Sequence, residues 1–188
     1  MNAIVQDFIQ SIALGQTEIY NEFSLQHEFG IHLRKHLPKM KVRFERNVSS
    51  LFATTSQFKK KEIDICICSQ NGAQKHSAFE LKFPRNGQHP EQMFSFCKDI
   101  AFLEQLKQAG FLNTYFLAFV DDRLFYEGAA KGIYAPFRGS HPLTGTIQKP
   151  TGKKDDFVII SGCYTINWEP VRNGLKYALV ETQEQPTP

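Results

Sequence analysis

The 188-residue chain is 41% hydrophobic and 22% charged, which excludes a disordered or fibrous chain and leaves enough apolar residues for a buried core. Its net charge of +3 suits a polyanionic partner but is well short of a strongly basic nucleic-acid-binding footprint. No apolar run approaches a membrane span, and the first residues lack a basic-then-apolar leader pattern. The expectation is therefore one cytoplasmic domain over residues 1–182, with no membrane partner and a disordered tail at 183–188.

In chain order, residues 3–14 predict a short amphipathic helix stopped by Gly15. Leu25, Phe29, Leu33 and Leu37 repeat every four positions and predict a second helix over 22–37, ended by Pro38. Residues 41–48 alternate as a first or edge strand. Residues 62–68 and 77–83 are two apolar, alternating segments around Asn71-Gly72, the pattern of a β-hairpin. Pro90 suits the first turn of a long helix over 90–108, with Met93, Phe96, Cys97, Ile100 and Leu103 on one side and Gly110 beyond its end. Residues 113–120 form a continuous apolar run, as in a buried strand. Residues 126–155 have few periodic cues. Residues 156–168 and 175–181 predict strands that extend the sheet or form a small β-layer. No internal repeat or low-complexity tract is present.

The hairpin carries the chemistry. Successive strand residues point to opposite faces, so Ile63, Ile65 and Ile67 share one side and Asp64, Cys66 and Cys68 the other. In the second segment Phe79, Leu81 and Phe83 oppose Glu80 and Lys82. If both apolar rows enter one core, Asp64, Glu80 and Lys82 project together from the other face. Charge in the middle of hydrophobic strands is costly unless compensated, and a divalent cation is the simplest compensation. A purely structural ion-pair network is the alternative. The shared face sets a condition on register. Opposed residues of an antiparallel pair lie on one face, so Asp64 joins Glu80 only if paired residue numbers sum to an even number. A two-residue turn at Asn71-Gly72 makes that sum odd. An odd-length loop or a bulge is therefore expected, with Gly72 left-handed.

An acid on one strand followed by Glu80-Leu81-Lys82 on the next resembles the PD-(D/E)XK, or restriction-endonuclease-like, nuclease superfamily; Ile63 stands where the motif often has Pro. The resemblance covers roughly residues 20–122, with the order helix, three strands, helix, strand. It implies an α/β fold: a mixed sheet on an αβββαβ core, with extra C-terminal strands. It also implies a Mg²⁺-dependent endonuclease acting on DNA, with Mn²⁺ as a substitute ion and RNA still open as a substrate. Asp64, Glu80 and the Leu81 carbonyl would hold the ion, since Mg²⁺ takes oxygen ligands. Lys82 would orient a water or stabilise transition-state charge. Glu28 is a further catalytic candidate, because the family often sends a Glu from the preceding helix toward the metal; local pairing with His32 or Lys35 is its other reading. Gln88 and Gln92 open the next helix, where related sites carry a Gln, and either also suits plain solvation. Cutting both strands of a duplex would favour a two-fold homodimer. A non-catalytic nucleic-acid-binding or scaffold module on the same fold is the rival function.

Other residues speak more softly. Arg34, Lys35, Lys39, Lys41, Arg43 and Arg46, then Lys59-Lys60-Lys61, then Lys149, Lys153 and Lys154 could contact phosphates or simply be solvated. The six histidines show no His-Glu-x-x-His spacing; His27 and His32 suit a surface or a phosphate contact. Cys66, Cys68, Cys97 and Cys163 make no disulfide framework.

Overall fold

The computed structural model describes residues 1–139, 141–152 and 156–183. Residues 184–188 of the tail expected at 183–188, and Lys153 and Lys154 of the third basic group, lie outside the described residues. Helices α1 (Asn2–Ala13) and α2 (Glu22–His36) precede strand β1 (Met40–Asn47). The hairpin strands β2 (Glu62–Ser69) and β3 (Lys75–Lys82) come next, followed by helix α3 (His89–Gln108) and strand β4 (Asn113–Val120). A one-turn helix α4 (Tyr134–Phe137) leads to β5 (Leu143–Gln148), β6 (Phe157–Tyr164), β7 (Glu169–Arg172) and β8 (Leu175–Glu181).

Six strands form one mixed sheet in the order β1-β2-β3-β4-β8-β7. Only β3 and β4 run parallel, and α3 makes the crossover that a parallel pair requires. The two C-terminal outcomes both occur. β7 and β8 extend the main sheet, while β5 and β6 form a separate two-stranded ribbon. The fold is thus mixed α/β. No helix among the described residues is long and apolar enough to cross a membrane.

Helices α1 and α2 cover one face, where Val5, Phe8, Leu25, Phe29 and Leu33 meet Ile65, Phe79, Leu81 and Leu117. An Asn21–Ser24 capping box starts α2, each side chain bonding the other residue's backbone N–H; this satisfies donors the first helical turn cannot pair internally. Gly30 is costly inside a helix but lets α2 approach β1: a Cβ there would lie 2.1 Å from the Phe44 ring.

Helix α3 and the ribbon cover the other face, with Met93, Phe96, Ile100 and Leu103 packed on Cys66, Ala78, Phe116 and Val158. The α3 acid Glu104 is buried but fully engaged. It accepts from the Ser161 and Gly162 amides at 3.0 and 2.7 Å and from the Tyr164 hydroxyl at 2.8 Å, fastening β6 to α3. All four cysteines are free.

The hairpin meets the register condition. Ile65 pairs with Phe79, and a bulge interrupts the ladder between Ile67 and Cys68. Gly72 has φ +76°, in a loop running from 70 to 74. One expectation fails. Ile65 and Ile67 face α1 and α2, but Ile63 joins the α3-side cluster with Val48 and Phe58. The cause lies on β1. Glu45, between the paired Phe44–Ile65 and Arg46–Ile63, takes a left-handed φ of 46°, so the strand pair rolls over at Asp64.

Candidate active site

The site forms where β2 and β3 part. Their last regular pair is Ile65–Phe79. Beyond it, side chains take over the ladder. The Leu81 amide donates to Asp64 Oδ2 at 2.8 Å, and the Asp64 amide donates to Glu80 Oε1 at 3.4 Å. Asp64 and Glu80 are thereby held by backbone geometry, and each keeps one oxygen free of the backbone.

Those oxygens converge with a third carboxylate. Asp99, on the sheet-facing side of α3, is almost fully buried. Lys60, from the segment before β2, reaches all three acids: its Nζ lies 3.5 Å from Asp64 Oδ1 and 3.2 Å from Asp99 Oδ1, and it contacts Glu80 Oε2. Lys82 closes the far side. Its Nζ lies 3.4 Å from Asp99 Oδ2 and 3.1 Å from Glu22 Oε1 at the start of α2. Glu22 also accepts from the Phe83 amide at 3.3 Å. Gln26, one turn along α2, donates to the Asp64 carbonyl at 3.0 Å.

Four carboxylates against two ammoniums leave this network negative. Burial raises the Asp64 pKa, and Lys60 and Lys82 only partly offset it. Burial raises Glu80 well above the usual carboxylate range, and the neighbouring Asp64 and Asp99 charges push the same way. For Lys60, burial disfavours the charged form, but Glu80, Asp99 and Asp64 outweigh it and hold the pKa above the ordinary lysine value. Lys82 behaves alike, held charged against burial by Asp99, Glu22 and Asp64. An ammonium held in this way is a poor base and a good electrostatic partner.

The donors Asp64 Oδ1, Glu80 Oε2 and Asp99 Oδ1 are oxygens, the type a hard divalent cation takes, but they spread around the Lys60 ammonium rather than closing to within 4.8 Å of one another. Asp99 Oδ2 is buried with no hydrogen-bond partner, in contrast to Glu104 further along the same helix. Beside the cluster, a cleft of about 450 Å³ opens between α3 and β6, lined by Lys59, Lys60, Lys82, Lys98, Phe102 and Phe157. Its cationic rim and two rings suit a phosphate-bearing ligand.

Of the residues singled out in the sequence, Asp64, Glu80 and Lys82 lie together. Leu81 contributes its amide to Asp64. Glu28 does not join them; its carboxylate lies 3.2 Å from His27 Nδ1. Gln92 bonds Asn86 at 2.8 Å, and Gln88 is the N-cap residue of α3. Lys60, Asp99, Glu22 and Gln26 were missed. A sequence signal existed for Asp99, an acid inside the apolar stretch Met93–Leu106, but Glu104 shares it. Comparisons with protein-family models, with curated proteins and with solved structures return no match.

Proposed function

We propose that the protein is a Mg²⁺-dependent nuclease of the restriction-endonuclease-like type, cutting phosphodiester bonds in DNA. One observation carries this reading: three carboxylates, the buried Glu80 and Asp99 and the partly buried Asp64, surround the Lys60 ammonium beside a lysine-rimmed cleft. The αβββαβ order of α2, β1, β2, β3, α3 and β4 agrees with it. Asp64, Glu80 and Asp99 would hold the ion; Mn²⁺ would serve in its place. Bound Mg²⁺ supplies Lewis acidity toward a phosphoryl oxygen and lowers the pKa of a ligated water. Lys82, locked by Asp99 and Glu22 and kept charged, stabilises negative charge developing on the phosphoryl group. Glu22 positions Lys82. Lys59 and Lys98 attract the phosphate backbone into the cleft.

A specific observation also favours a second reading. Lys60 already bridges all three acids, which suits a non-catalytic nucleic-acid-binding module stapled by an internal ion network. Mg²⁺-dependent cleavage of supercoiled, linear, single-stranded and branched DNA separates the two. The nuclease requires activity that vanishes in Asp64→Asn and in Glu80→Gln, while Lys82→Ala loses cleavage but keeps Mg²⁺ binding. Wild-type protein that binds DNA but neither binds Mg²⁺ nor cuts any substrate supports the module instead. Parallel RNA substrates decide the nucleic acid.

A further inference from the structure

At the opposite end of α2 from Glu22, roughly 20 Å along the helix axis, lies a second cluster of different chemistry. His32 and His36 are four residues apart and so share a helix face. Asp7 of α1 faces them. Asp7 Oδ2 lies 3.5 Å from His32 Nε2 and 3.4 Å from His36 Nε2. The one ligand atom each residue offers lies within 4.8 Å of the others.

Those distances are long for charge-assisted hydrogen bonds, which close to about 2.7–2.9 Å. They match something else. Ligand atoms about 2.0–2.2 Å from a tetrahedral ion sit roughly 3.3–3.6 Å from each other. The ring orientation agrees. His36 Nδ1 lies 2.9 Å from the His32 carbonyl. Donating there places its proton on Nδ1 and leaves the Nε2 lone pair toward Asp7, as an outer partner does for a ligating histidine. His32 is held by contact with the Phe8 ring, with centroids 5.4 Å apart, and its ring lies tilted against that of His36, with centroids 4.2 Å apart. Its Nε2 is also 3.2 Å from the Ile4 carbonyl; the proton shared there is the one a metal would displace. Burial, ahead of the proximity of His36, lowers the His32 pKa, which favours the neutral ligand form. The cluster opens onto a hollow bordered by Gln10, Ser11, Thr17 and Lys35.

We propose that Asp7, His32 and His36 form a site for a borderline divalent transition metal, Zn²⁺ foremost, with three protein ligands and a fourth position open to water. Two imidazoles and a carboxylate select Zn²⁺ over Mg²⁺, which prefers all-oxygen surroundings. The ion clamps α1 to α2, and the open position admits a small anionic or neutral ligand. This inference does not depend on the proposed nuclease.

The test uses the full chain carrying Asp64→Asn, Glu80→Gln and Cys163→Ser, which removes the oxygen-rich cluster and the exposed thiol as competing sites. Zn²⁺ is measured by titration calorimetry and by metal content after gel filtration. One Zn²⁺ per chain is expected, with the His32 and His36 imidazole NMR signals shifting on addition and the other histidines unmoved. Adding His36→Gln or Asp7→Asn should abolish stoichiometric retention and the Zn²⁺-induced rise in melting temperature. Both substituted side chains are partly exposed, so the metal-free melting curves should stay in place. No stoichiometric binding in the starting chain overturns the proposal, as does binding untouched by both substitutions or signals that shift at His27, His76, His89 or His141 instead. If the parent triple variant does not fold, the same titration and NMR readout on the wild-type chain in excess Mg²⁺ decides between the same outcomes.

Discussion

Replacing Lys60 with Met removes an ammonium and keeps an unbranched stem, and the outcome separates an internal ion staple from a metal centre. Lys60 Nζ lies 3.5 Å from Asp64 Oδ1 and 3.2 Å from Asp99 Oδ1. At an effective dielectric constant near 20, each pair is worth roughly 5 kcal/mol of attraction before desolvation. The Lys60 side chain is 34% exposed, so solvent screening and the cost of dehydrating both partners reduce the net loss to about 2–3 kcal/mol. In a chain of this length that lowers the melting temperature by about 4–12 °C. Mg²⁺ acts in the opposite sense. In the wild type an entering ion must displace the Lys60 ammonium; in Lys60→Met it meets three carboxylates with no competitor. Thermal unfolding in EDTA and in millimolar Mg²⁺ should therefore show a larger Mg²⁺-induced rise for Lys60→Met than for wild type, with most of the lost stability recovered. Equal Mg²⁺ shifts in the two proteins would refute displacement. An undiminished melting temperature in EDTA would refute the staple as well.

Three further outcomes follow from the same geometry. Glu22→Gln should lower the cleavage rate at saturating Mg²⁺ about tenfold or more, as for loss of a partner that orients a reacting group, whereas Glu28→Gln should leave it unchanged; equal effects would mean that Glu22 does not position Lys82. Replacing Lys59 and Lys61 together with Gln should weaken DNA binding regardless of sequence and reduce the salt slope by up to about two phosphate contacts, read by fluorescence anisotropy across a salt series; an unchanged slope places the binding surface elsewhere. The raised carboxyl pKa values of Asp64 and Glu80 mean that the folded metal-free state binds protons more tightly than the unfolded chain. Their contribution to stability is thus present at low pH and lost as pH climbs from the ordinary carboxylate range through the raised values. Urea unfolding of Glu80→Gln without metal should show a smaller fall in stability between about pH 5 and pH 8 than wild type, and an identical slope in both proteins would contradict the assignment.

The parts of the site on the hairpin were legible because a strand has a period of two. Parity alone required a bulge or an odd loop for Asp64 to meet Glu80, and both are present around Ile67–Cys68 and Gly72. The same rule failed at Ile63 because it assumes a regular strand, and the left-handed Glu45 on the neighbouring strand breaks that assumption from outside the segment. The C-terminal third was hard to read for a related reason. The β5 ladder shifts register between Leu143 and Gly145, and β7 is a four-residue edge strand containing Pro170, so neither offers enough alternation to stand out.

Helical contributions were hidden by a different geometry. On α2, Glu28 lies beside the Leu25–Phe29–Leu33 stripe and is a reasonable choice by angle, yet Glu22 and Gln26 reach the site because the N-terminal end of the helix abuts it. Periodicity reports rotation about a helix axis; it carries no information on which end meets the sheet. On α3 the difficulty is sharper, since Asp99 and Glu104 are both acids in an apolar stretch and both are buried. What distinguishes them is their partners: two amides and a hydroxyl satisfy Glu104, whereas Asp99 faces only lysines and keeps one oxygen without a hydrogen bond. A buried acid with its bonds complete fastens structure, and one left incomplete among other acids is available to a cation. That difference becomes visible only when β6 has docked on one acid and β2 and β3 have parted in front of the other.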